Sequence, residues 1–303
     1  MNSSKIKLKP KGHMGKTINF DSKLDHKLFM KDFLSRSYME ENFSSWCKSG
    51  KFDTSIIKLR EILIDEILKK NLINEKDFIK SDYELESMHL FLDDSQKNLD
   101  DTEQNKISIN FYETSELLKK EYIKFLNICI SKLFDEKIYY QAVPTFRFHF
   151  PYQKGYKWED RYHTDVMLGH PPYELNLWLP FTKVYGSNSM RLSSLKDSLN
   201  FMKNTDYDFE LFASNVQYNK EWIKDLKKKS SSLKMNYGEY ILFDPRCLHC
   251  TQYNNTDNTR ISMDIRIITE SNLEKYSREY RTTGRKKMLF EPGHYFSNEP
   301  ISV

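Results

Sequence analysis

Hydrophobic spacing along this chain changes period near residue 139. Before that point apolar residues recur at helical intervals. Ile56, Leu59, Leu63 and Ile67, widened by Ile57, Ile64 and Leu68, predict a helix capped by Asp53 and running to about Lys70. Leu117, Leu118, Tyr122, Phe125, Leu126, Cys129, Ile130 and Leu133 predict a second, capped at Thr114 or Ser115 and ending near Asp135. A shorter helix is expected around Lys27 to Ser37, and the acidic stretch Asp82 to Lys106 reads as a loop with a short helix; its carboxylate spacing fits no EF-hand.

Beyond residue 139 the period becomes two, as in strands. Tyr139 to Phe150 is rich in β-formers but broken by Pro144, which suits an edge strand or a bulge, with Arg147 and His149 on one face. In Leu175 to Phe181, Asn176, Trp178 and Pro180 face opposite to Leu175, Leu177 and Leu179, so Asn176 is expected to look inward. Gly238 makes a turn into the apolar run Glu239 to Phe243. Arg260 to Ile267 alternates strictly, with Arg260, Ser262, Asp264 and Arg266 on one face and aliphatic residues on the other. Ser193 to Lys234 interrupts the strands with predicted helices at about Leu195 to Lys203 and Asn219 to Lys229.

Composition narrows the class only modestly. The 47 Lys and Arg against 43 Asp and Glu give a net charge of +4, which favours neither a nucleic-acid nor a membrane partner. No apolar run reaches 18 residues, and Met1 to Lys16 lacks the hydrophobic centre of a signal peptide, so a soluble cytoplasmic protein is expected. Cys47, Cys129, Cys247 and Cys250 are too few for a disulfide framework in 303 residues, and the single CxxC at Cys247 is a poor zinc signal because strand geometry sends its two thiols to opposite faces.

The chemistry gathers in the second half. His163 and Asp165 stand two residues apart, a spacing that in a strand puts both side chains on one face. An imidazole and a carboxylate side by side are two of the three ligands of non-haem Fe(II) oxygenases. His249, after the glycine turn and apolar strand, is the later candidate for the third; Arg260 follows eleven residues on. A lone His-x-Asp is as readily a structural hydrogen-bonded pair, and the polar face of Arg260 to Arg266 is compatible with solvent exposure. Order and context raise the reading above those alternatives.

This ordered set resembles the 2-oxoglutarate- and Fe(II)-dependent oxygenases, and within them the phytanoyl-CoA-hydroxylase-like branch. The runs Leu175 to Phe181 and Tyr185 to Leu192 are similar to oxygenases of streptomycin-type biosynthesis, and the likeness spans roughly Phe146 to Ile268. The resemblance implies a mainly β fold with flanking helices, a double-stranded β-helix (jelly roll, cupin-like) at about 139–268. A flexible arm at 1–20 would precede a single domain at 21–303, with helical support at 53–135, a helical lid at 193–234 and a tail at 271–303 that returns across the mouth. It implies Fe(II) on His163, Asp165 and His249, with 2-oxoglutarate and O2 as co-substrates. Arg260 would fork onto the distal carboxylate, with Asn176 and Ser262 beside it and Arg266 as the alternative clamp. His149 and His170 are near enough to line the cavity, and Trp158, Tyr162 and Tyr173 to wall it. The activity implied is hydroxylation of a small polar molecule: a sugar, nucleotide sugar, cyclitol or amino-acid derivative in natural-product or surface-glycan biosynthesis. Five cations between Arg278 and Lys287 hint at an anionic substrate. The competing class is a cupin-like metal protein, or a carbohydrate-binding jelly roll, without oxygenase activity.

Overall fold

The computed structural model describes residues 18–101, 103–156, 158–280, 282–283 and 289–302. From Thr145 the chain winds between two antiparallel sheets. Thr145–His149 lies in the large sheet, and His163 then bridges into the small one. Leu175–Pro180 returns to the large sheet, followed by Met190–Ser193 and Ser230–Ser232 in the small. Glu239–Phe243 (large), His249–Thr251 (small) and Arg260–Thr269 (large) complete the path. The large sheet runs Cys47–Lys51, Glu239–Phe243, Leu175–Pro180, Arg260–Thr269, with Ile138–Tyr140 and Thr145–His149 both on the far edge of the last. The small sheet runs Ser230–Ser232, Met190–Ser193, His249–Thr251, extended by the pairing of His249 with His163. This alternation between facing sheets is the double-stranded β-helix, here mostly antiparallel sheet with flanking helices.

The alternation in Arg260–Thr269 sorts its side chains as its sequence predicts. Ile261, Met263, Ile265 and Ile267 join a buried cluster with Leu63, Ile67, Leu118, Tyr122 and Phe125, so helices Leu59–Lys69 and Glu116–Phe125 back the large sheet. Leu63 and Ile265 are fully buried, and truncating either to Ala is expected to destabilise by about 2–5 kcal/mol. The break at Pro144 separates two strands that share one edge, because proline cannot donate to the ladder.

Several expectations are corrected. Asp53 does not cap the long helix: it accepts from the backbone N–H of Ser55 and closes an isolated turn, and the helix begins at Leu59 after Lys58. Leu117 is exposed rather than part of the stripe, because Leu118, Tyr122 and Phe125 fill the contact. The expected arm is anchored at its end. Ile18 is buried and donates to the Met167 carbonyl, and Asn19–Phe20 pairs with Thr282–Thr283; residues 1–17 lie outside the described residues.

The insertion forms helices Leu195–Lys203, Phe209–Tyr218 and Lys220–Lys229, the middle one unforeseen. The expected lid instead lies against the outside of the small sheet. Met202, Phe209, Phe212, Val216 and Leu226 pack with Tyr162, Val166, Leu248 and Cys250, and with Phe29 and Phe33 of helix Lys23–Leu34. Burying that apolar surface holds the insertion away from the opening. None of its residues lines either cavity described below. The tail does reach the mouth, through Leu289, Phe290, His294 and Tyr295. Of its basic run, Arg281, Arg285, Lys286 and Lys287 lie outside the described residues.

Candidate metal centre

His163 and His249 sit opposite one another as a hydrogen-bonded strand pair, each backbone N–H donating to the other's carbonyl at 3.0 and 2.9 Å. Their ring centroids are 4.2 Å apart. Asp165 does not continue this strand, contrary to the simple two-residue alternation. Its backbone is helical and caps the short turn Val166–Leu168, which closes on Gly169 in the left-handed region. Its N–H donates to the Pro245 carbonyl at 3.1 Å, tying the turn to the segment that brings His249. One ligand atom from each of His163, Asp165 and His249 lies within 4.8 Å of the others, and all three residues are buried.

The protonation states suit a divalent cation. Burial lowers the pKa of both imidazoles, His163 well below its ordinary value. Each Nδ1 faces a main-chain carbonyl, His163 that of Arg161 at 3.3 Å and His249 that of Cys247 at 3.0 Å, which leaves both Nε2 atoms for a ligand. Burial by itself would raise the Asp165 pKa, yet the Arg266 guanidinium and neighbouring imidazoles hold it well below the usual carboxylate range. Arg266 donates Nε and Nη2 to Asp165 Oδ2 at 3.1 and 2.9 Å, and Oδ1 is left for a metal. Two neutral imidazoles and one carboxylate are the donor set of a facial Fe(II) site, so these residues fit the ion that the sequence implies.

The turn before His249 is fastened by Arg246, which sequence reasoning passed over. Its guanidinium binds both carboxylate oxygens of Asp244, Glu40, and the carbonyls of Phe33 and Ser35. A buried arginine with this many acceptors fixes the loop that carries Pro245 and leads to His249.

Two cavities flank the triad. The smaller, about 40 Å³, is enclosed by the two sheets and lined by His163, His249, Asn176, Trp178, Ser262 and Arg260, among others. Arg260 is 3% exposed, and its Nε has no hydrogen-bond partner. Burial pulls its pKa down to about 10, against the opposing pull of Asp264, so it stays cationic near neutrality. The Asn176 amide and Ser262 hydroxyl are also buried without partners, and all three face the same space. The larger cavity, about 620 Å³, opens on the other side past His163, Asp165, Arg266 and the tail residues Phe290 and Tyr295.

Of the remaining candidates, Trp158 stacks on His163 with centroids 3.8 Å apart. It holds a left-handed φ of 66°, a conformation that strains a bulky residue by about 1–3 kcal/mol. His170 lines the larger cavity, 2.7 Å from Glu174, whose pKa burial raises. His149 is buried against Tyr156 and lines neither cavity. Tyr162 points outward into the helix-packed cluster, and Tyr173 pairs with Lys275. Asp264 neutralises Arg147, at 2.6 Å, rather than Arg266. The signal for Glu174 was a carboxylate opening an otherwise apolar strand, four residues after His170.

No family model matches the chain. It is 25% identical over 187 residues to the streptomycin biosynthesis protein StrG of Streptomyces griseus, covering 61% of this chain and 72% of that protein. Among solved structures it is similar to a non-heme monooxygenase, ThoJ, in a nickel complex, with 14% identity and a TM-score of 0.33 over 57% of this chain; it spans about half, 54%, of ThoJ. The non-heme alpha-ketoglutarate-dependent carbocyclase SnoK from nogalamycin biosynthesis aligns over 87% of this chain and 94% of its own, with 11% identity and a TM-score of 0.49. Among the described residues, no helix is long and apolar enough to cross a membrane.

Proposed function

We propose that the protein is a 2-oxoglutarate- and Fe(II)-dependent dioxygenase that hydroxylates a small polar molecule. The observation that carries this reading is the buried triad of His163, Asp165 and His249, with ligand atoms within 4.8 Å of one another. In this reading His163 and His249 bind through Nε2 and Asp165 through Oδ1. Arg260 clamps the distal carboxylate of 2-oxoglutarate, with Asn176 and Ser262 as further polar partners in the enclosed cavity. Arg266, the alternative clamp, is assigned to Asp165, on which both of its observed hydrogen bonds converge. Bound iron and 2-oxoglutarate would supply the oxidising chemistry, with O2 consumed and succinate and CO2 released. The chain's own task is to keep the imidazoles neutral, hold the carboxylate in one orientation and exclude bulk water with Trp158 and the facing sheets.

A carboxylate at Asp165, rather than a small residue that would admit chloride, favours hydroxylation over halogenation. Similarity to StrG, a streptomycin biosynthesis protein, supports a natural-product setting; we further propose a sugar, cyclitol or amino-acid-derived substrate and membership of the phytanoyl-CoA-hydroxylase-like branch. Succinate release from 2-oxoglutarate, assayed with and without Fe(II), tests the class. His163→Ala is expected to abolish both metal binding, read calorimetrically with Ni(II) or Co(II), and turnover. Intact metal affinity in that variant would remove the assignment, and metal binding without any succinate would favour a cupin-like metal protein instead.

A further inference from the structure

The 620 Å³ cavity falls in the range of roughly 300–1,000 Å³ typical of small-molecule sites. Its described wall is rich in neutral polar groups: Gln104, Tyr112, Gln141, Thr145 and Tyr295. Part of this wall is already ordered. Gln141 accepts from the Tyr295 hydroxyl at 3.0 Å and donates to Thr145 Oγ1 at 3.0 Å and to the Val143 carbonyl at 2.7 Å, so the tail and the edge strand are held together beside the opening.

Both arginines that line this wall among the described residues already face carboxylates, Arg147 that of Asp264 at 2.6 Å and Arg266 that of Asp165 at 2.9 Å. A phosphate entering here would compete with the buried Asp165 carboxylate and the partly buried Asp264 carboxylate for the same cations. A divalent ion and a 2-oxoglutarate dianion bound next door would cancel one another and leave that balance unchanged. Opposite stands His170. Its Nδ1 lies 2.7 Å from a carboxylate oxygen of the fully buried Glu174, a close contact outside hydrogen-bond geometry, and Phe290 and Tyr295 pack on its ring at 4.5 and 5.3 Å. The Glu174 contact and the two packed rings hold the imidazole at the cavity wall, where a ring nitrogen is available to hydrogen-bond a hydroxyl.

We propose that this cavity selects a polyhydroxylated ring carrying no phosphate, and that His170, held beside Glu174, is a specificity residue hydrogen-bonded to one ring hydroxyl. Phe290 and Tyr295 supply the apolar side of the site. The assignment rests on the oxygenase reading for its place beside the metal, and it excludes the nucleotide-linked sugars which that reading leaves open.

The test is ligand-observed NMR on the full chain without metal or 2-oxoglutarate. The probes are D-glucose and myo-inositol against glucose 1-phosphate, inositol 1-phosphate and UDP-glucose. Phosphate-free probes are expected to bind at least tenfold more tightly than their phosphorylated partners. His170→Ala should weaken them by roughly three- to tenfold, the worth of one hydrogen bond, and His170→Gln, which keeps a hydrogen-bonding group, should recover part of the loss. Tighter binding of the phosphorylated probes, no binding of either phosphate-free probe, or equal affinity in a folded His170→Ala variant would overturn the proposal. Polyol binding in a protein that releases no succinate would leave this site standing and remove the oxygenase; succinate release with phosphate-selective binding would do the reverse.

Discussion

The strand Arg260–Thr269 holds two arginines on one face, Arg260 buried and Arg266 partly buried, in opposite electrostatic conditions. Arg266 meets Asp165 through two hydrogen bonds, and its pKa is driven above the ordinary arginine value despite burial. Arg260, six residues earlier on the same face, has no carboxylate within ion-pair distance among the described residues, and burial lowers its pKa. A cation that is already answered serves the architecture around it. A buried cation beside two unpartnered polar groups, Asn176 and Ser262, is the place where the proposed reading puts the anionic co-substrate.

Substitution can break this contrast. Arg266→Met leaves Asp165 buried without its cation, and a loss of about 3–5 kcal/mol in unfolding free energy is expected from denaturant titration of the metal-free protein. Metal affinity should fall with it by roughly 10–100-fold, the usual effect of losing a partner that orients a ligand. Arg260→Met removes an unanswered charge, so the metal-free protein should be unchanged or stabilised, within about 0–4 kcal/mol. Equal destabilisation by the two changes would erase the distinction. A smaller effect separates the arginines by function. Arg260→Lys keeps the charge but loses the planar fork, so the KM for 2-oxoglutarate should rise about tenfold or more while Ni(II) affinity holds. An unchanged KM would move the clamp elsewhere.

The same strand marks what could be read in advance. Its strict alternation named both faces, and alternation named the strand at 175–180, while the set His163, Asp165, His249 and Arg260 needed order, context and a family resemblance beyond spacing. Three things were not legible. Asp165 leaves the strand for a helical turn, which depends on the Pro245 carbonyl and on Gly169, neither implied by a two-residue spacing. The preference for Arg260 over Arg266 as the proposed clamp rests on Asp165 turning toward Arg266, a contact between residues 101 positions apart. Helices at 195–229 carry apolar stripes that say they must be covered but not by what. The cover proved to be the outside of the small sheet and helix Lys23–Leu34, not the mouth. Arg246 has one local partner, Asp244, but its other acceptors at Phe33, Ser35 and Glu40 come from the other end of the chain and left no sign in the sequence.

The smallest effect concerns pH, and it separates His149 from the cations around it. His149 is fully buried, and burial first, then the nearby Arg260 charge, lowers its pKa well below 6.5. In the native protein it stays neutral where the unfolded chain takes up a proton, so the unfolded state binds more protons and stability rises with pH. The contribution is fully present above about 6.5, the unfolded value, and drains as pH falls from there toward the depressed folded value. Each such group adds a slope of up to about 1.4 kcal/mol per pH unit. His163 and His249 add theirs in the same window in the metal-free protein, whereas the Asp165 window lies below 3.8. Urea titrations at pH 7.5, 6.5 and 5.5 should therefore show metal-free protein weakening with acid, and His149→Phe, which keeps an aromatic ring against Tyr156, should flatten that slope by about one proton. Arg260→Met should flatten it less, because burial and not the arginine is the first cause of the shift. A slope that is the same in the parent and in His149→Phe would mean that His149 takes up its proton in the folded protein as readily as in the unfolded chain.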